Sequence, residues 1–182
     1  LPDRARLISE GKNLVSVRTF SKAYGLAGAR LGYGMAREKV VTAIDTVSEP
    51  FNANRLGIAA GVAVLTRDRE ACERARALIL TERERVSQHL QAMGMSVVPS
   101  RTNFIFFDTP FHAENLAEEL LYRGVIVRPC GGWGYQGAIR VTVGTEEEND
   151  IFLAALKETV ETMREKDSGT GSHREVEDGP VR

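Results

Sequence analysis

The stretch "RTFSKAYGLAGARLGYG", Arg18–Gly34, sets a lone lysine, Lys22, between a serine and a run of small residues, with Arg30 eight positions on. A lysine in a loop of glycine and alanine at a strand end can be held where its amine meets a ligand. Thr19 and Ser21 add hydroxyl donors, and Arg30 adds a planar positive fork. Gly25 and Gly28 let backbone approach closely. Together these residues form a phosphate site beside a primary amine, and such an amine suits Schiff-base chemistry with an aldehyde. The bland reading of Lys22 is a solvated side chain in a tight connection. A nucleotide loop fails on spacing. The phosphate-loop pattern places its lysine after the glycines, whereas Lys22 precedes Gly25, Gly28 and Gly32, which do not match the dinucleotide fingerprint either.

Leu14–Arg18 (LVSVR) reads as a buried strand leading into the loop, and Arg30–Gly34 as a short strand leaving it. Apolar positions at Val40, Val41, Ile44 and Val47 predict a helix over 35–48, broken by Pro50. Asn54–Leu65 is small and apolar on nearly all sides, the pattern of a buried helix. Arg69–Met93 reads as a long charged helix with Leu78, Val86, Leu90 and Met93 on one stripe, closed by Gly94. Strands are expected over 96–99, 103–108, 125–128 and 139–143. Helices are expected over 113–123, closed by Gly124, and over 146–164, with Ile151, Leu153, Leu156 and Val160 inward. The fold class is therefore α/β. A layered region over 1–65 is followed by a bridging helix over 66–94 and a small α+β domain over 95–165. The Gly/Ser-rich segment 166–182 reads as a disordered tail.

With 24 basic and 25 acidic side chains, the net charge of -1 offers no footprint for nucleic acid or an anionic membrane. Apolar runs are too short and too broken by glycine to span a bilayer. Cys72 and Cys130 lie far apart and read as reduced thiols of a cytoplasmic protein. His89, His112 and His173 are scattered without metal-ligand spacing, so no metal site is expected. Trp133 and Tyr135 lie in "GGWGYQG", a loop either merely flexible or adjacent to substrate. The chain opens with Leu1 and no initiator Met, which predicts a fragment.

"TFSKAYGLAGARLGY" resembles the lysine segment of the fold-type I aminotransferases dependent on pyridoxal 5'-phosphate (PLP), the histidinol-phosphate aminotransferase branch most closely. "EPFNAN", "PSRTNFIFF", "LLYRGVIVRP" and "IRVTVGTEEEN" continue the likeness in the family's order, over roughly 5–162. The resemblance implies the end of the α/β/α-layered large PLP-binding domain, followed by the small C-terminal domain. It implies that Lys22 condenses with the PLP aldehyde and carries a proton between substrate Cα and the C4′ carbon. Ser21 and Arg30 would hold the PLP phosphate with Thr19 as a weaker partner, and Arg140 would pair with the substrate carboxylate or its equivalent. Asn103 and Tyr24 lie in family-like segments, where turn bonding and packing explain them equally well.

The same resemblance implies transamination between histidinol phosphate and 2-oxoglutarate, in a homodimer. The family's acidic partner for the pyridine nitrogen, its stacking aromatic ring, and its Asn and Tyr near the phenolic oxygen precede the lysine segment. They are not among these 182 residues, so this chain alone is expected to be inactive. Aromatic aminotransferases and threonine-phosphate decarboxylases share these segments. A non-catalytic remnant keeping the lysine by descent is the alternative from another class.

Overall fold

The computed structural model describes residues 3–170. The chain divides into two compact units, 1–77 and 78–182, with the division inside one long helix. In the first unit, α1 (Arg4–Ser9) starts at Asp3, whose carboxylate accepts from the Arg6 N–H. The β-branched run forms β1 (Ser16–Thr19), which pairs antiparallel with β2 (Gly32–Met35), Val17 lying opposite Gly34. Then come α2 (Glu38–Val47), α3 (Arg55–Thr66) and the first turns of α4 (Arg69–Ala92).

Two burial expectations are corrected here. In β1 only Ser16 is buried, and Val17 is 75% exposed, because the ladder has two strands and the Val17 face meets solvent. In α3 only Gly57 and Gly61 are buried. This helix packs through its glycine edge, leaving Leu56, Ile58, Val62 and Leu65 exposed.

The second unit holds the core. Its sheet has the order β3-β4-β6-β5, all antiparallel, formed by Ser96–Val98, Phe104–Asp108, Ala138–Thr142 and Arg128–Pro129 respectively. Strand alternation sends Ile105, Phe107, Ile139 and Val141 into the core. They meet Val86 and Leu90 of α4, Leu116 and Leu120 of α5 (Ala113–Tyr122), and Phe152, Leu156 and Val160 of α6 (Glu146–Thr170). Gly94 and Gly124 follow α4 and α5, their N–H groups bonding back to Gln91 O and Leu121 O.

Three details differ from expectation. Ile151 is 55% exposed and Phe152 takes the inward place. The strand expected over 125–128 pairs only at Arg128 and Pro129, since Val125 N–H is still engaged with Leu120 O at the end of α5. The last helix continues to Thr170, into the segment expected to be a disordered tail, whose remainder, with His173, lies outside the described residues. No helix among the described residues is long and apolar enough to cross a membrane.

Candidate active site

The lysine loop hangs on one buried ring. Phe20, 5% exposed, donates its N–H to Leu31 O at 3.1 Å and accepts the Leu26 N–H at 3.0 Å. Its side chain packs against Tyr24 and Tyr33, with centroids at 4.9 and 5.8 Å. Between these ties the Ser21 N–H donates to Thr19 Oγ1 at 3.0 Å, and the Gly25 N–H donates to Lys22 O at 2.9 Å. Gly25 closes that turn at φ +67°, where a Cβ would be strained. Lys22 is left exposed on the crest. Among the described residues, nothing bonds Lys22 Nζ or Ser21 Oγ.

Arg30 has φ +54°, costly for a side chain without local compensation. Its Nη1 donates to Ala27 O at 2.9 Å, and its neighbour is clamped by Asn54. The Asn54 side chain caps α3, accepting from Gly57 N–H at 2.7 Å, and reaches back to Ala29 O at 2.9 Å. "EPFNAN" thus has a mechanical role in holding the turn that presents Arg30. Sequence reasoning placed Asn54 at the start of this helix but gave it no role, although asparagine at a helix start is a cap signal.

Gly57 permits the approach, since a Cβ there would stand 2.8 Å from Ala29 O. Gly57→Ala should therefore destabilise the first unit by about 1–3 kcal/mol from overpacking. The better helix propensity of alanine, about 1 kcal/mol, offsets part of that but cannot move a backbone carbonyl. Far-ultraviolet circular dichroism during urea unfolding would show it, and an unchanged midpoint would contradict the clamp.

Arg140 stands in the second unit. It lies on the sheet face opposite the core, half-buried, in register with Phe106 on one side and Arg128 on the other. Its guanidinium carbon lies 5.1 Å from the Phe104 ring centroid and 5.7 Å from that of Trp133. Tyr135 meets Phe106 edge-on at 5.5 Å. Arg128 and Arg140 border a depression of about 350 Å³ with Ile126, Val127, Pro129 and Thr142. Like charges directly opposite in a sheet are destabilising. Among the described residues, no carboxylate or hydrogen-bond acceptor engages either guanidinium. Two such arginines can take an anion between them, and Arg128 was missed as a candidate because its pairing is a matter of register.

The remaining candidates serve the scaffold. His89 Nδ1 bonds Arg85 O at 2.8 Å, and His112 pairs with Glu114 at 3.0 Å. No group of three His, Cys, Asp or Glu side chains converges among the described residues. Cys72 is a half-buried free thiol; Cys130 is a buried one whose acidity is weakened by that burial. The Asn103 backbone carbonyl accepts the Val143 N–H at 3.0 Å, extending the β4–β6 ladder by one bond.

This mixed helix-and-sheet chain, with a lysine loop in its first unit and an antiparallel sheet backed by helices in its second, shares the fold of the fold-type I aminotransferases. It belongs to the aminotransferase class I and II family, whose model matches residues 3–156.

It is 45% identical over 155 residues to histidinol-phosphate aminotransferase of Symbiobacterium thermophilum, covering 85% of this chain and 43% of that protein. It is 43% identical to an aromatic amino acid aminotransferase of Nocardia farcinica, covering 84% and 41%. The crystal structure of Sinorhizobium meliloti histidinol-phosphate aminotransferase in complex with pyridoxal-5'-phosphate matches with a TM-score of 0.71 and 32% identity, covering 83% and 42%. The chain thus spans well under half the length of these relatives.

The lysine loop fits PLP. Lys22 offers an unengaged amine, and Arg30 keeps all but one of its N–H donors. Thr19 Oγ1 accepts one bond and still has its hydroxyl hydrogen to donate, as does Ser21. A Cβ at Gly28 would meet nothing within 4 Å, so the loop is open on that side.

Proposed function

We propose that these residues belong to a PLP-dependent aminotransferase that moves an amino group between histidinol phosphate and 2-oxoglutarate in histidine biosynthesis. The activity is assigned to a full-length, homodimeric protein, of which this chain contributes the lysine loop and the small domain. By itself the chain is proposed to be inactive.

The observation that carries the reading is Lys22, an exposed amine unengaged among the described residues. It is next in the chain to Ser21 and in the same Phe20-anchored loop as Arg30, most of whose donors are unused. PLP, when bound, supplies an aldehyde for amines and a ring that accepts electrons from substrate Cα. Ser21, Arg30 and Thr19 would hold its phosphate through hydroxyl and guanidinium donors. Lys22 would present its amine to that aldehyde and, as a free amine once substrate is bound, would take at Nζ the proton that leaves substrate Cα. Arg140 receives the carboxylate of 2-oxoglutarate or the corresponding end of the amino donor. Arg128 beside it adds a second guanidinium for an anionic substrate. The 45% identical histidinol-phosphate aminotransferase supports this choice of donor.

Borohydride reduction of the full-length protein with PLP, followed by peptide mass spectrometry, tests the site. A pyridoxyl group is expected on Lys22, and one on any other lysine overturns the assignment. Donor choice is read from transfer rates with histidinol phosphate, phenylalanine and tyrosine. The aromatic amino acid relative makes equal rates the outcome that sinks the histidinol-phosphate reading.

A further inference from the structure

Arginines that bind carboxylates are ordinarily held by acids or carbonyls behind them. Arg140 is not. Among the described residues its N–H donors meet no acceptor, and what touches its guanidinium is aromatic: Phe104 at 5.1 Å and Trp133 at 5.7 Å. A guanidinium stacks through its face and donates from its edge. Rings can therefore fix its plane without using the hydrogen bonds a ligand needs.

The backbone under Trp133 is built to hold the ring there. It ends a 3-10 turn over Gly131–Trp133, with the Trp133 N–H donating to Cys130 O at 3.0 Å and the Gly134 N–H to Gly131 O at 2.8 Å. Yet Trp133 is 57% exposed, so core packing does not explain its position. Phe104 stands beside Arg140 on the non-core face, brought there by the pairing of Phe104 with Thr142 and of Ile105 with Val141.

We infer that Trp133 and Phe104 are positioning residues that hold the Arg140 fork in its binding plane before substrate arrives. The inference rests on the proposed role of Arg140 and deepens it. A free arginine surrenders rotamer freedom when it docks a carboxylate, and that loss weakens binding. An arginine already lying over two rings has surrendered part of it. Each ring contributes about two- to five-fold in affinity at a partly exposed site, felt as substrate binding rather than as chemistry.

Two measurements test it together. In the 182-residue chain, the Arg140 side-chain protons should show an upfield ring-current shift in proton NMR. Trp133→Leu should collapse that shift and Trp133→Phe should keep most of it; resonances unmoved by Trp133→Leu overturn the clamp. In the full-length PLP-loaded enzyme, Trp133→Leu should raise KM for 2-oxoglutarate about two- to five-fold with kcat nearly kept, and Trp133→Phe should restore it.

A fall in kcat at constant KM would refute the positioning role. Arg140→Gln separates the two ideas. If it too leaves KM unchanged, the carboxylate role of Arg140 fails. If it raises KM while Trp133→Leu does not, the positioning role alone fails.

Discussion

Lys22→Ala in the full-length protein is expected to lower the rate of amino transfer at least about 10³-fold, the upper part of the range for losing a positioned acid–base group. The expectation follows from what the side chain does not do. Lys22 is exposed, and among the described residues its Nζ bonds nothing, so its removal takes no packing and no hydrogen bond from the fold. Surface substitutions of that kind change stability by about 0.5 kcal/mol or less. The urea midpoint of the PLP-free protein should therefore stay put while the rate of the PLP-loaded protein collapses.

Lys22→Arg sharpens the result. Arginine keeps the positive charge and adds donors, but its guanidinium stays protonated and is no nucleophile. If the amine itself reacts, the arginine variant is as inactive as the alanine one. If Lys22 serves only as a cation near a phosphate, arginine restores most of the rate. That second outcome would leave the loop an anion site without its proposed chemistry.

What the sequence disclosed and what it hid divide along a physical line. Local signals read well. The β-branched run before Phe20, the glycines after α4 and α5, and the alternation in "NFIFFD" each specify structure within a few residues. The candidate lysine loop could be read from sequence because its members are local: an amine, two hydroxyls and an arginine within twelve residues, Thr19 to Arg30.

Burial was less legible, because it depends on what an element packs against. α3 carries an apolar pattern on nearly every side, yet only its glycine edge is covered. Ile151 and Phe152 are adjacent, and helical periodicity over a long charged segment did not decide which of them turned inward. The anion site was hidden for a third reason. Arg128 and Arg140 are brought together by strand register across the glycine-rich loop, and neither residue alone signals it. Phe104 reaches Arg140 through strand register as well, whereas Trp133 reaches it through the turn of the glycine-rich loop.

The largest stability effect outside the apolar core is expected from Arg85→Ala. Glu82 of α4 is 4% exposed, and its carboxylate is bound by Arg85 at 2.7 Å and by Asn149 Nδ2 at 2.8 Å. Arg85 also reaches Asp150 at 2.7 Å, and Asn149 exchanges bonds with Gly144, so the network joins α4 to the start of α6. Removing Arg85 strands a buried carboxylate on one amide. Breaking a buried pair from one side costs about 3–5 kcal/mol. The lower end applies here, because Arg85 keeps 28% of its side chain exposed.

The pH dependence should differ in sign between the two proteins. In the wild type, the hydrogen bond from Arg85 holds the Glu82 carboxyl below its usual range against the opposing effect of burial, with Asn149 and the charges of Arg85 and His89 assisting. A carboxyl depressed by folding contributes stability that is fully present above the unfolded value, about 4.3, and lost as pH falls through the folded one. Without Arg85, desolvation dominates and raises that carboxyl, so the folded variant takes up a proton before the unfolded chain does. Acidification from pH 7 toward pH 5 should then narrow the deficit of Arg85→Ala relative to wild type. Trp133, the sole tryptophan and a residue of the same unit, reports the unfolding directly through its fluorescence. Urea midpoints at pH 7, 5 and 3 decide the matter, and a deficit that stays constant over that range would show that Glu82 is not the group Arg85 supports.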